Sequence, residues 1–196
     1  MAAYQAGNEA AFAELFDRYA GAIYGFLVRR LGDPALAEDL YQEVFLRLHR
    51  ARPSYDPGRP FRTWLFSIAH NLLSDALRSR RRTPSLTQFQ EEFGGAATSG
   101  DKAPNAVNLG ATIASDGASP EAALVTRELG EALNRALRSL PPDEVTVLIL
   151  ARLEGLPYDE IGHVIGRSAA ATKQLAYRAL KRVRAELVAS GHGGEP

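Results

Sequence analysis

Residues 94–119 (GGAATSGDKAPNAVNLGATIASDGAS) are Gly, Ala, Ser, Thr, Asn, Asp and Pro, with Lys102, Val107, Leu109 and Ile113 the exceptions. Apolar residues there follow neither a helical nor a strand repeat, so the segment has no face to bury and reads as a flexible tether. It splits the 196-residue chain into two lobes, each of about 90 residues or fewer. Lobes of that size support modest cores of three or four packed helices. The expected layout is a domain over 8–83, a linker over 84–120 and a second domain over 121–188.

Both lobes carry helical spacing. Phe12, Leu15, Phe16, Tyr19, Ile23, Phe26 and Leu27 form one stripe. Asp33-Pro34 is a cap followed by a first-turn proline, and it opens a second stripe through Ala37, Leu40, Tyr41, Val44, Phe45 and Leu48. The prolines of 53–60 (PSYDPGRP) force a loop. A third helix carries Phe61, Trp64, Leu65, Ile68, Leu72 and Ala76 and ends in Arg78-Ser79-Arg80-Arg81-Arg82. Beyond the linker, Ser119-Pro120-Glu121 starts a helix bearing Leu124, Leu129, Leu133, Ala136 and Leu140, stopped by Pro141-Pro142. Val145, Leu148, Ile149 and Leu153 make the next stripe, closed by Gly155. Sustained alternation is missing throughout, so the fold class is all-α.

Composition removes several kinds of chemistry. The chain has no cysteine, which excludes a disulfide framework, a thiolate metal site and a cysteine nucleophile. His49, His70, His163 and His192 lie too far apart in sequence for a zinc-binding pair, so neither a metal nor a cofactor is expected. Nucleotide-loop and hydrolase motifs are missing, which argues against an enzyme and a small-molecule substrate. Glu9, Glu14 and Asp17 interrupt any signal-peptide reading, and no apolar run approaches the roughly 18 residues of a membrane span. A soluble, cytoplasmic protein is expected.

The strongest local signal lies in residues 156–182. Pro157 starts a short helix with Ile161, Val164 and Ile165 on its inner face; Gly166 permits a left-handed turn and Ser168 caps the next helix. On that second helix Thr172, Ala176, Ala179, Leu180, Val183 and Leu187 fall on one side. Ala170, Gln174, Tyr177, Arg178 and Lys181 fall on the other. This is the spacing of a helix-turn-helix, and the outward set suits DNA. Amide side chains pair with adenine, while Lys and Arg pair with guanine or phosphate.

Taken together, the motifs resemble a bacterial RNA polymerase sigma factor of the sigma-70 family, extracytoplasmic-function (ECF) type. In the first lobe the resemblance lies in Asp39-Leu40-Tyr41-Gln42-Glu43-Val44-Phe45, Phe61-Arg62-Thr63-Trp64-Leu65 and Ile68-Ala69-His70-Asn71. In the second it lies in Leu140-Pro141-Pro142-Asp143-Glu144, Glu154-Gly155-Leu156-Pro157-Tyr158-Asp159-Glu160-Ile161 and Arg178-Ala179-Leu180-Lys181-Arg182. The resemblance implies two helical domains, region 2 and region 4, that read the −10 and −35 promoter elements.

By position, Asp39, Gln42 and Glu43 would dock on the clamp coiled coil of the largest subunit of core RNA polymerase. Tyr55, Phe66, Ile68, Ala69 and Asn71 would capture unstacked −10 bases. Arg78, Arg80, Arg81 and Arg82 would hold phosphates near the melted strand. Lys173, Gln174, Tyr177, Arg178 and Lys181 would read the −35 duplex. Trp64 reads as core or as a wedge at the junction. The family pattern also implies control by an anti-sigma factor. Thr172, Leu175 and Arg167 depart from it, which leaves the −35 sequence unspecified. The alternative is a self-standing helix-turn-helix regulator that acts without polymerase.

The formal net charge is zero, yet its layout is uneven. Residues 1–83 hold 12 basic and 9 acidic side chains, residues 84–120 hold 1 and 4, and residues 121–196 hold 10 and 10. Within 172–187 there are five basic residues and one acid. The free chain should therefore bind promoter duplex weakly. Titration of labelled promoter DNA without polymerase is expected to show a loose, salt-sensitive complex; tight, salt-insensitive binding would contradict this charge layout.

Overall fold

The computed structural model describes residues 1–82 and 120–191, so the expected linker lies outside the described residues. The first lobe contains α1 (Ala2–Gln5), α2 (Ala10–Leu31), α3 (Pro34–Ala51), a 3-10 turn (Arg52–Ser54) and α4 (Phe61–Arg82). Asp33 caps α3 by accepting a hydrogen bond from the Leu36 N–H at 3.1 Å, with Pro34 in the first turn. The apolar stripes of α2, α3 and α4 then meet. Ile23, Phe26, Leu27, Val44, Leu48, Leu65, Phe66 and Leu73 are fully buried. The Phe26 and Phe66 rings meet edge to face at 5.6 Å, a favoured arrangement for aromatic pairs.

The packed body starts earlier than the expected boundary at residue 8. Tyr4 on α1 is buried, stacks at 5.2 Å on Phe12 and hydrogen-bonds His49 Nδ1. Gln5 Nε2 donates to the Tyr55 carbonyl at 3.0 Å and so ties α1 to the 53–60 loop. A four-residue helix is too short to show periodicity, so its role is invisible to pattern reading.

The second lobe contains α5 (Pro120–Ser139), α6 (Pro142–Leu148), a π-helical turn (Ile149–Leu153), α7 (Tyr158–Ile165) and α8 (Ala169–Ala189). Helix α5 begins at Pro120, as its sequence indicates. Val145, Leu148 and Ile149 of the next stripe are buried, but Leu153 is 43% exposed. The π turn, with Glu154 N–H bonded to the Ile149 carbonyl at 3.1 Å, adds a residue to the turn and carries Leu153 off the stripe.

The helix-turn-helix forms as its sequence requires. Gly166 ends α7 in the left-handed conformation (φ 68°, ψ 38°), and Ser168 Oγ caps α8 by accepting from Ala171 N–H at 3.2 Å. The turn closes tightly because Gly162 has no side chain. A Cβ there would stand 2.6 Å from the Arg167 carbonyl oxygen and 3.3 Å from Thr172 Oγ1. Thr172 is fully buried, and its hydroxyl donates to the Ser168 carbonyl at 2.9 Å, so a polar residue fits this inner position.

The lobes also pack on each other, α4 against α7, and their buried side chains form a continuous cluster. That contact is long-range and has no local sequence signal.

Replacing Gly162 with Ala should destabilise the second lobe by about 1–3 kcal/mol, because the clash is with backbone that cannot rotate away. Urea unfolding followed by circular dichroism measures it; an unchanged midpoint would show that the turn relaxes freely.

Candidate nucleic-acid interface

Helix α8 sets the first surface. Because Thr172, Ala176, Ala179 and Val183 are buried on the side that packs against α5, α6 and α7, the opposite side of the helix faces outward. Lys173, Gln174, Tyr177 and Arg178 line one shallow hollow together with Ala170, and Lys181 is exposed one turn on. Tyr177 is 70% exposed, an unusual state for a ring without a contact surface to serve. Not every base on the helix is free, since Arg182 reaches buried Glu144 at 3.7 Å. Leu180, expected inward, is 39% exposed. It lies beside an apolar groove shared by Leu133 and Leu137 of α5, the π turn and Val183.

A second surface lies between α3 and α4. Ile68 and Asn71 line a pocket there with Arg47, Arg50 and Ala51. Sequence pattern does not single out the two arginines, because they alternate with the apolar stripe of α3 and look like an ordinary solvated face. Phe66 and Ala69, expected to touch bases, are fully buried and form core behind this pocket. Tyr55 is buried too; its hydroxyl donates to the Arg59 carbonyl at 2.7 Å and its ring meets Trp64 at 5.0 Å. Half-buried Trp64 therefore belongs to an aromatic cluster with Tyr55 and Phe61.

At the end of α4, Arg78 pairs with Asp75 at 2.6 Å and Arg80 with Asp33 at 2.6 Å. The Leu36 N–H and then Arg80 hold the Asp33 carboxyl below its ordinary value. The side chains of Arg81 and Arg82 lie outside the described residues.

On α3, Asp39 and Gln42 are exposed and Glu43 is half-buried, bonded to Arg47 at 2.9 Å. Leu46 follows on the same face and is 50% exposed. Leu46 thus ends a face whose earlier turns carry Asp39, Gln42 and Glu43, an exposed apolar side chain beside polar ones. The helical stripe gives no reason to single out Leu46, because it falls between buried positions 45 and 48.

A cavity of about 200 Å³ opens where the lobes meet, lined by Arg30 of α2, His70, Ser74, Leu77 and Arg78 of α4, and Pro142 and Asp143 of α6. Burial pushes the Arg30 guanidinium down to about 10, with Asp143 opposing. Burial, and then the Arg30 charge, hold the His70 imidazole below its ordinary value, again with Asp143 opposing. His70 Nδ1 has no hydrogen-bond partner among the described residues.

A helical chain with a capped, basic helix exposed on one lobe and an arginine-lined pocket on the other has two surfaces suited in chemistry to nucleic acid. Sigma-70 region 2 matches residues 15–83, and Sigma-70, region 4 matches residues 130–183. RNA polymerase sigma factor CarQ of Myxococcus xanthus is 34% identical over 184 residues, covering 94% of this chain and 93% of its own. ECF RNA polymerase sigma factor SigW of Bacillus subtilis is 33% identical over 181 residues, covering 92% and 91%. The fold is shared with CnrH, solved in complex with the cytosolic domain of CnrY (TM-score 0.62, 24% identity, 96% of this chain and 94% of that one). It is shared also with RpoE of Bartonella quintana, solved with the anti-sigma factor NepR (TM-score 0.64, 20% identity, 90% and 96%). The chain belongs to the sigma-70 family of RNA polymerase sigma factors, ECF type. No helix among the described residues is long and apolar enough to cross a membrane.

The buried imidazole makes stability depend on pH. His70 takes up its proton near pH 6.5 when unfolded and only at lower pH when folded. Its contribution is therefore present above pH 6.5 and lost as pH falls through the folded value. Melting temperature should drop between pH 7 and 5.5, and the drop should shrink in His70→Gln; an equal drop in both would remove His70 as the cause.

Proposed function

We propose that this sigma factor carries core RNA polymerase to promoters by using its two lobes on two DNA elements. The carrying observation is the outward face of α8, where Lys173, Gln174, Tyr177, Arg178 and Lys181 stand exposed behind a capped, glycine-closed turn. In this reading α8 enters the major groove of the −35 element and the amide and guanidinium groups meet base edges.

The first lobe supplies the −10 reader. Ile68 and Asn71, flanked by Arg47 and Arg50, offer an apolar wall, an amide and two charges for phosphate. Phe66 and Ala69 are core residues of α4 and Tyr55 packs with Phe61 and Trp64, so these three act through the fold of the lobe. Binding an unstacked base offsets an unstacking cost of a few kcal/mol and so favours melting. Arg78 and Arg80 extend the basic surface once Asp75 and Asp33 give way to phosphate, and Arg81 and Arg82 add to it by their place in the sequence. The Asp39–Gln42–Glu43 face, with Leu46 at its C-terminal end, docks on the clamp coiled coil of the largest polymerase subunit.

The protein performs no catalysis of its own in this reading; it acts in the cytoplasm, with polymerase and promoter DNA as partners. The solved neighbours bound to CnrY and NepR support an anti-sigma partner for this chain as well. The relatives are sigma factors, so the self-standing regulator is not retained.

Run-off transcription with reconstituted polymerase is the test. The protein should direct initiation at a promoter that core polymerase ignores; failure to bind core or redirect initiation would end the reading. Arg178→Ala should reduce initiation roughly 10-fold or more at a −35-dependent promoter, since a lost base contact costs about 1–3 kcal/mol. Leu46→Glu should weaken the complex with core polymerase at least roughly 10-fold while leaving the fold intact, because a buried leucine contact contributes about 1.5–3 kcal/mol. Unchanged pull-down with Leu46→Glu would move the docking face elsewhere.

A further inference from the structure

The seam between the lobes is charged in opposite senses. From the first lobe it receives Arg29, Arg30 and Arg62; from the second it receives Asp143, Glu154 and Glu160. Arg62 donates to Glu154 Oε2 at 2.8 Å, and the Glu154 side chain is only 10% exposed. The same carboxylate attracts the Arg29 guanidinium, and Asp143 attracts that of Arg30. Further along the seam, the hydroxyl of buried Thr63 donates to Glu160 Oε2. Arg29 Nε and Arg30 Nε find no hydrogen-bond acceptor among the described residues, so these two cations are neutralised by charge more than by hydrogen bonds.

Closure and promoter binding exclude each other on length. A compact body of this size has a radius of gyration of about 15 Å and so spans roughly 40 Å. Two readers placed one and a half to two DNA turns apart must reach roughly 50–70 Å. The lobes therefore part on a promoter, and parting strips three arginines of their counter-charges. Three guanidinium groups left without counter-charges attract another anion, and their planar fork matches phosphate as well as carboxylate. Arg62 opens α4, the helix whose later turns carry Ile68 and Asn71 on another of its sides.

We propose that Arg29, Arg30 and Arg62 form a phosphate-binding face for single-stranded nucleic acid, which Asp143, Glu154 and Glu160 of the second lobe cover in the free protein. The second lobe acts as a built-in mimic of the strand. Opening does not create this basic face; it exchanges carboxylate for phosphate. The idea rests on the promoter reading for its choice of ligand and for the parting of the lobes, and run-off transcription by the unaltered chain tests that reading separately.

The experiment uses the full chain without polymerase. Glu154→Gln with Glu160→Gln keeps side-chain shape and removes two of the covering charges. Small-angle scattering should show the lobes farther apart, and anisotropy with fluorescein-labelled oligo(dT) should show at least roughly 10-fold tighter binding with a steeper salt dependence. Adding Arg62→Gln should leave the lobes apart and abolish that gain. The idea is overturned if the double variant stays closed, if it opens without gaining oligo(dT) affinity, or if the gain survives Arg62→Gln. Tighter binding of poly-glutamate in place of oligo(dT) would equally overturn it and assign the face to an acidic protein surface.

Discussion

The packing of α4 on α7 governs what each lobe can show to the outside. Helix α4 gives one side to the core beside α2 and α3 and another to α7, which leaves a narrow strip where Ile68 and Asn71 meet Arg47 and Arg50. Helix α7 in turn is the first helix of the helix-turn-helix, so its contact with α4 fixes the direction in which α8 presents Lys173, Gln174 and Tyr177. In the closed form both surfaces are thus oriented by one contact made of apolar burial, an arginine–glutamate pair and a threonine hydroxyl. Apolar burial supplies non-directional attraction, while the charged pairs set register, which is the usual division of labour at an interface that must both hold and release.

How much of this was legible in the sequence depends on the range of each interaction. The turn between α7 and α8 was readable because everything that makes it is local: the glycine at 166, the serine cap at 168 and an inner face at helical spacing. The capped start of α3 at Asp33-Pro34 was readable for the same reason. The outward set on α8 followed from the positions of the buried ones. By contrast, Tyr4 packs across more than forty residues onto His49, and nothing in residues 1–7 announces it. A strict helical phase puts Leu153 and Leu180 inside; the π turn breaks that phase for Leu153, and an open groove breaks it for Leu180. Phe66 shows the limit of reading a role from position: the helix phase that presents Ile68 and Asn71 points Phe66 into the core against Phe26. The seam itself could not be read, because its six charged members come from separate segments and each alone resembles an ordinary solvated residue.

Charge tells a similar story at a larger scale. A chain whose acids and bases cancel looks indifferent to nucleic acid. The structure shows cancellation carried out in place, with Arg62 against Glu154, Arg80 against Asp33 and Arg182 against Glu144. The carboxylates of the first and third pairs are largely buried; the more exposed Arg80–Asp33 pair contributes little to stability, and all three pairs act alike on the field. Their effect is to lower the positive potential that the folded chain presents, so neutrality here describes a conformation as much as a composition.

The π turn at Ile149–Leu153 has a consequence for helical phase. Each residue added to or removed from a helix rotates the downstream segment by about 100° and advances it by about 1.5 Å. The extra residue in this turn therefore sets the azimuth at which Glu154 leaves the second lobe, and with it the angle at which α7 begins. Removing one residue from the turn would restore an unbroken α-helix and improve its hydrogen bonding. The same change would swing Glu154 away from Arg62 and turn α7 against α4. A local gain in regularity would thus cost the alignment of two domains, which gives an irregular turn a reason to persist.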